Sequence, residues 1–65
     1  MFTYASIVRI VWRGRRLVSF CVYWCSYDVA RLLRDAGYDA YVDDDDDVIV
    51  RFHWNVMEIA RIARG

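Results

Sequence analysis

Apolar and polar residues alternate along four stretches of this chain, and each stretch predicts a β-strand. Valine, isoleucine and aromatic residues dominate these stretches, as is typical of the pleated surface of a sheet. The predicted strands cover residues 2–12, 17–24, 38–42 and 48–54. Residues 13–16 are then the turn between the first two strands, and residues 43–47 the turn between the last two.

After each pair of strands the apolar residues change to a spacing of three and four, which predicts a helix. Ser26 is placed to cap the first helix at its N-terminus, and Gly37 is placed to end it. Asn55 is placed to cap the second helix, with Glu58 in the position of a capping box. The predicted order of elements is therefore ββαββα.

The second half of this pattern repeats the first. Residues 18–34 read VSFCVYWCSYDVARLLR, and they align without a gap with residues 48–64, which read VIVRFHWNVMEIARIAR. A repeat of this length indicates one supersecondary unit used twice. We therefore interpret residues 1–65 as a single domain, with repeat one at 1–37 and repeat two at 38–65.

The predicted fold class is α+β, with a four-stranded antiparallel sheet and two helices on one face. The second and fourth strands are the longest apolar ones, so we expect them in the centre. This gives the strand order 1-2-4-3 and a pseudo-twofold axis between the central strands. It is the arrangement of a ferredoxin-like domain whose last strand has been moved to the front. The likeness is one of topology and implies no activity.

Alternation along each strand assigns side chains to two faces of the sheet. We expect the helices to cover one face, and we call the other the open face. Its expected members are Ile7, Arg9, Val11, Leu17, Ser19, Cys21, Tyr23, Asp39, Tyr41, Ile49, Arg51 and His53. The open face thus mixes apolar area, rings and guanidinium groups.

This mixture supports three interpretations of the open face. The first is an interface with a second copy or with a partner protein. The second is binding of single-stranded nucleic acid, with bases on Tyr23, Tyr41 and His53 and phosphates on Arg9 and Arg51. The third is a solvated face without a role. The formal net charge of zero argues against nucleic acid, because neutralisation of phosphates supplies much of that affinity.

The strongest concentration of charge is an acidic turn, formed by Asp43, Asp44, Asp45, Asp46 and Asp47. One interpretation is a solvated turn whose like charges deter pairing between sheet edges. A second is mimicry of nucleic-acid phosphates, so that the turn docks on a basic groove of a partner. A third is a site for a hard cation, but the run lacks the glycine and distal glutamate of an EF-hand loop, so we assign no metal.

The basic residues are all arginines, and Arg13, Arg15 and Arg16 form an arginine turn at the position in repeat one that the acidic turn has in repeat two. We expect the two turns at opposite ends of the sheet. One interpretation of these arginines is a solvated surface turn without a role. A second is self-association through pairing of opposite turns, and a third is a contact with nucleic acid.

The chain offers no arrangement of residues that indicates catalysis. His53 is its one histidine, and no serine or cysteine is placed by the sequence to use it as a base. Cys21 and Cys25 would lie about 13 Å apart in a strand, too far for a disulfide. We therefore expect a cytoplasmic protein that is not an enzyme, has no cofactor, and lacks a signal peptide or membrane span.

Together these features favour a small non-catalytic interaction protein, an inhibitor or an adaptor, that binds through the acidic turn and the open face. Small antagonists carried by phages and other mobile elements, including anti-CRISPR proteins, have this general profile. The expected partner is a protein, such as a nucleic-acid-binding complex with a basic groove, and we expect a homodimer. The alternative is a single-stranded nucleic-acid-binding module that uses the aromatic and arginine side chains of the open face.

Overall fold

The computed structural model describes residues 5–51 and 55–64 as a four-stranded mixed sheet with two helices. The elements are β1 (Ser6–Trp12), β2 (Arg15–Val22), α1 (Ser26–Asp35), β3 (Asp39–Val42), β4 (Val48–Arg51) and α2 (Val56–Ala63). The predicted α+β class and the order ββαββα are confirmed. The predicted extension of the first strand to residue 2, and of the fourth to residue 54, falls outside the described residues.

The strand order is β2-β1-β4-β3, so β1 and β4 are central and β2 lies at an edge. β1 pairs antiparallel with β2 and parallel with β4, and β3 pairs antiparallel with β4. The predicted order 1-2-4-3 and the fully antiparallel sheet are therefore wrong. The internal repeat and the ferredoxin-like permutation are not confirmed by this order.

The physical reason for the central position of β1 and β4 is that both strands are apolar on two faces. In β1, Val8 is fully buried on the helix side while Ile7 is half-buried on the open face. In β4, the consecutive residues Val48, Ile49 and Val50 are all buried. A strand with a neighbour on each side is shielded by the side chains of both neighbours, so a central strand can bury apolar residues even on the face that no helix covers.

For the paired residues of the described strands, the register agrees with the predicted assignment to two faces. Residues 52–54 lie outside the described residues, Leu17 is unpaired in the ladder, and Tyr23 and Trp24 follow the end of β2. Val8 pairs with Phe20 on one side and with Val48 on the other, and all three belong to the packed core or contact it. Arg9 pairs with Ser19 and with Ile49 on the opposite face. Both helices contribute to the same core, whose buried members are Val8, Ile10, Val22, Val29, Ala30, Leu33, Tyr38, Ala40, Val48, Val50, Ile59 and Ala63.

The turn between β1 and β2 is shorter than predicted. Arg13 and Gly14 alone form the loop, and both have positive φ, 51° and 77°. Two-residue hairpins adopt this conformation because its twist matches that of the strands. Arg15 and Arg16 therefore belong to β2, where Leu17 is the extra residue of a bulge between the pairs Ile10–Val18 and Val11–Arg16.

The end of α1 is set by Gly37, as predicted. Its φ is 97°, its N–H donates to the carbonyl of Arg34, and the N–H of Tyr38 donates to the carbonyl of Leu33. This is the Schellman arrangement, in which a residue in the left-handed region closes the helix. Tyr38 and Leu33 are both buried, so the end of the helix is fixed to the core.

The predicted cap at the start of α1 is wrong. Cys25 occupies the N-cap position without a side-chain hydrogen bond, and Ser26 is the first helical residue. Ser26 is fully buried because it enters the interior with the first turn, and its Oγ has no hydrogen-bond partner. A buried hydroxyl without a partner keeps its desolvation cost.

We expect Ser26→Ala to raise the free energy of unfolding by about 1 kcal/mol, because it removes this unpaired hydroxyl and favours the helix. Urea denaturation would measure the change. Asn55→Ala is the matched control: Asn55 accepts a hydrogen bond from the N–H of Glu58 at 3.3 Å, and loss of such a cap costs about 1 kcal/mol. A loss of stability in both variants would mean that Ser26 does act as a cap.

The predicted cap of α2 is confirmed for Asn55 but not for the returning contact of a capping box. The carboxylate of Glu58 instead accepts a hydrogen bond from the hydroxyl of Tyr38, which joins α2 to the loop after α1. This bond to a carboxylate, with burial, raises the pKa of Tyr38 to about 12. Tyr38 therefore remains a donor across the neutral pH range.

Neither helix of the described residues is long and apolar enough to cross a membrane.

Candidate functional site

The centre of the open face holds an ion pair that joins β1 to the acidic turn. Arg9 Nη2 lies 3.1 Å from Asp47 Oδ2, and the side chains are 33% and 12% exposed. Asp47 is thus mostly removed from water, and the Nε of Arg9 is buried without a hydrogen-bond partner. Interactions between charges are stronger in such a place than at a fully hydrated surface, so this pair fixes the turn to the sheet.

A second ion pair occupies the β3 side of the open face. Arg51 contacts Asp39 Oδ2 through Nη2 at 3.0 Å and through Nε at 3.1 Å. The guanidinium of Arg51 also lies over the ring of Tyr41, 5.4 Å from its centroid. Both residues of this ion pair are about half exposed, so solvent weakens the attraction.

The structure therefore brings together some of the predicted partner-binding residues of the open face but not all of them. Arg9, Tyr41 and Arg51 lie together around the buried side chain of Ile49. Tyr23 is highly exposed but follows the end of β2, and His53 falls outside the described residues. A phosphate at this face would have to compete with carboxylates already paired with both guanidinium groups.

The acidic turn is folded around the first of its aspartates. Asp43 Oδ1 accepts hydrogen bonds from the N–H groups of Asp45 and Asp47, at 3.0 and 2.9 Å. The Asp43 N–H donates to the Asp47 carbonyl at 2.9 Å, and the Asp46 N–H donates to the Asp43 carbonyl at 3.1 Å. Asp46 has a φ of 62°, which aspartate tolerates better than most residues.

This folding separates the five carboxylates into two groups. Asp43 and Asp47 serve the turn itself, while Asp44, Asp45 and Asp46 are exposed. The sequence could not distinguish these roles, because five identical residues carry no pattern. The turn thus presents three carboxylates from a backbone held by its own hydrogen bonds.

Carboxylate oxygens of Asp43, Asp45 and Asp47 lie within 4.8 Å of one another, close enough in principle to share a cation. The negative charge of Asp47 is already partly neutralised by its ion pair with Arg9. The guanidinium of Arg9 would also repel a metal ion at that position. Groups of exposed acidic residues are common without an ion. We assign no metal to the turn.

The arginine turn lies at the other end of the sheet, because it follows β1 while the acidic turn precedes β4, and these strands run in parallel. The guanidinium of Arg13 lies 5.9 Å from the ring centroid of Trp12. Arg15 and Arg16 are exposed at the start of β2. Self-association through these residues stays a prediction.

An apolar groove that the sequence does not predict lies between β2 and α2. Its volume is about 940 Å³. Val18 and Phe20 of β2 line it, together with Val56, Met57 and Ala60 of α2. The groove exists because α2 buries Ile59 and Ala63 in the core but leaves the half-buried side chains of β2 partly uncovered. This is possible because β2 is an edge strand. The predicted strand order placed β2 in the centre of the sheet, so it gave no reason to expect a groove.

Comparison of the chain with protein-family models, with curated proteins and with solved structures returned no match.

Proposed function

We propose that this chain is a small non-catalytic interaction protein, an inhibitor or an adaptor, that docks its acidic turn on a basic surface of a partner protein. The observation that supports this proposal is the rigid presentation of Asp44, Asp45 and Asp46. Their turn is closed by the Asp43 hydrogen bonds and joined to β1 through the ion pair of Arg9 and Asp47. A charged loop that is already ordered loses less conformational entropy on binding than a mobile tail.

The charge of the turn suits a surface built for nucleic acid. Asp44, Asp45 and Asp46 are consecutive and exposed, so the turn concentrates negative charge as a phosphate backbone does. A basic groove that neutralises phosphates could therefore accept the three carboxylates in their place. Such a contact would compete with nucleic acid and would weaken with salt.

Tyr41 and Arg51 would extend this contact beyond the turn. Tyr41 lies two residues before Asp43 on β3, it is 40% exposed, and its ring is held under the guanidinium of Arg51. An aromatic side chain in a fixed orientation buries apolar area with little loss of entropy. The ring of Tyr41 would therefore add binding affinity, while the carboxylates of the acidic turn would set the orientation of the partner.

The double variant Asp44→Asn/Asp45→Asn should weaken binding to a fluorescein-labelled oligoarginine peptide by about tenfold at low salt, because each lost contact is worth up to about 1 kcal/mol. Fluorescence anisotropy would measure this. The matched control is Asp28→Asn/Asp35→Asn, which removes the same charge from α1. Equal losses in the two variants would show attraction by net charge alone and would contradict docking through the turn.

The alternative function, binding of single-stranded nucleic acid by the open face, is tested with the same protein and a short labelled oligothymidylate. We expect no salt-dependent response, because Arg9 and Arg51 already have carboxylate partners. A response that disappears in Arg51→Gln would support the nucleic-acid module instead of the inhibitor or adaptor.

A further inference from the structure

The outer edge of β2 has the chemistry of a place where another strand can be added. Within the part of the chain that the structure describes, β2 pairs with β1 and has no strand on its other side. β2 begins with Arg15 and Arg16 and has a bulge at Leu17, but the remaining residues 18–22 read VSFCV, without a charge, a proline or a bulge. Natural edge strands are usually protected by charges, prolines or short length, because their free backbone groups recruit other strands.

The opposite edge of the sheet is protected in these ways. β3 has four residues, it starts at Asp39, and the acidic turn follows it directly. α1 also packs along β3. The two edges therefore differ in length, charge and cover, and β2 is the one prepared for a partner.

The apolar groove lies beside this free edge. Val18 and Phe20 alternate along β2 on the side of the helices, and both line the groove. Met57, on the α2 side, is 83% exposed. A strand added to β2 would continue the pleat, so every second side chain of that strand would enter the groove against Met57.

The charges around the groove determine which side chains an added strand should carry. Arg61 of α2 and Arg64 at the end of that helix line the groove, and Arg15 lies on the same face at the start of β2, where it pairs with Trp12. Among the residues that line the groove, Glu58 carries the one carboxylate, and it already accepts the hydrogen bond of Tyr38. The surroundings thus favour a strand with acidic side chains.

The same charges disfavour a second copy of this chain as the occupant. Ser6 pairs with Val22 and donates a hydrogen bond to the Trp24 carbonyl, and the indole of Trp24 donates to the Arg64 carbonyl, so Arg64 lies near the last residues of β2. Antiparallel pairing of two β2 edges would bring the first residues of one strand beside the last residues of the other. Arg15 of each copy would then face Arg64 of its neighbour, and like charges repel.

We propose that the β2 edge and the adjoining groove bind an extended acidic segment of a partner protein, which adds to the sheet as a fifth strand and places its alternate apolar side chains between Phe20 and Met57. This surface is separate from the acidic turn, so the proposal stands independently of the function proposed above.

The test uses a labelled peptide of about seven residues, the length of a typical strand. One alternate set of its side chains, which would face the groove, has valine and isoleucine in the middle and glutamate at both ends, and the other set is threonine. Wild-type protein should bind it, and a peptide with lysine at the acidic positions should bind at least about tenfold more weakly. Met57→Glu should weaken binding of the acidic peptide by about tenfold, because it places a carboxylate in the groove. Tyr27→Glu is the matched control, since Tyr27 is exposed on α1 away from the groove.

Backbone methylation of the peptide tests strand addition itself. Methylation of one alternate set of amides should abolish binding, while methylation of the other set should preserve it, because a strand bonds to its neighbour through one edge. The proposal is overturned by equal binding of the acidic and basic peptides, by equal effects of the Met57 and Tyr27 variants, or by tolerance of both methylated sets. Sedimentation showing a wild-type dimer that Met57→Glu dissociates would also overturn it, by assigning the groove to a second copy.

Discussion

Val8→Ala should lower the free energy of unfolding by about 2.5 kcal/mol, while the same substitution at Val18 should lower it by about 1 kcal/mol. The side chain of Val8 is fully buried in central β1, between Phe20 of β2 and Val48 of β4. Val18 is half-buried on the edge strand and borders the groove. Deletion of the same two methyl groups therefore leaves a closed cavity in one case and a solvated gap in the other.

Urea denaturation of both variants, with the slope against denaturant checked for constancy, would measure this difference. The comparison tests the strand order, because the order 1-2-4-3 would put Val18 in a central strand and Val8 in an edge strand, and would reverse the ranking. Val42→Ala, a half-buried position on the other edge strand, should behave like Val18→Ala. A larger loss at Val18 than at Val8 would show that β2 is central.

Asp47→Asn should lower the free energy of unfolding by about 2 kcal/mol, which is the second of the two largest effects that we expect. Removal of one charge from a largely buried pair leaves the other charge uncompensated, which costs about 3–5 kcal/mol when both are fully buried. The 33% exposure of Arg9 reduces that figure. Asp39→Asn is the matched control, because its half-exposed pair with Arg51 should contribute at most about 1 kcal/mol.

The double variant Arg9→Met/Asp47→Asn should recover most of the loss, because methionine fills a similar volume without a charge. The single variants Arg9→Met and Asp47→Asn, the double variant and the wild type form a double-mutant cycle on the unfolding free energy. Equal losses for Asp47→Asn and Asp39→Asn, or no recovery in the double variant, would contradict the role given to this ion pair.

Local patterns of the sequence were sufficient for the order of the elements and for the faces of the described strands, but not for the N-cap of α1 or the length of the first turn. Alternation placed Val18 and Phe20 on the helix side whichever strand lay beside them, and Gly37 ended α1 by its backbone alone. The predicted strand order is wrong because it takes the length of the apolar stretch as the criterion for a central strand. The continuous apolar run of residues 48–50 is a better criterion, since apolar side chains on both faces are best shielded in a strand that has a neighbour on each side.

The candidate site was predictable in composition but not in contacts. Arg9 and the acidic turn were both identified as candidates, yet their ion pair depends on β4 lying beside β1. β1 and β4 are distant in the chain, so nothing in the local sequence indicates that they pair. The groove was missed for the same reason, because it exists only where α2 fails to cover an edge strand.

The parallel contact of β1 with β4 also bears on how the chain folds. Each hairpin closes through neighbouring residues, but the pair Val8–Val48 joins positions forty residues apart (48 − 8 = 40). Closing so long a loop loses chain entropy before any contact compensates for it, which slows folding. We expect the two hairpins to form early and separately, and the step that joins them to set the folding rate.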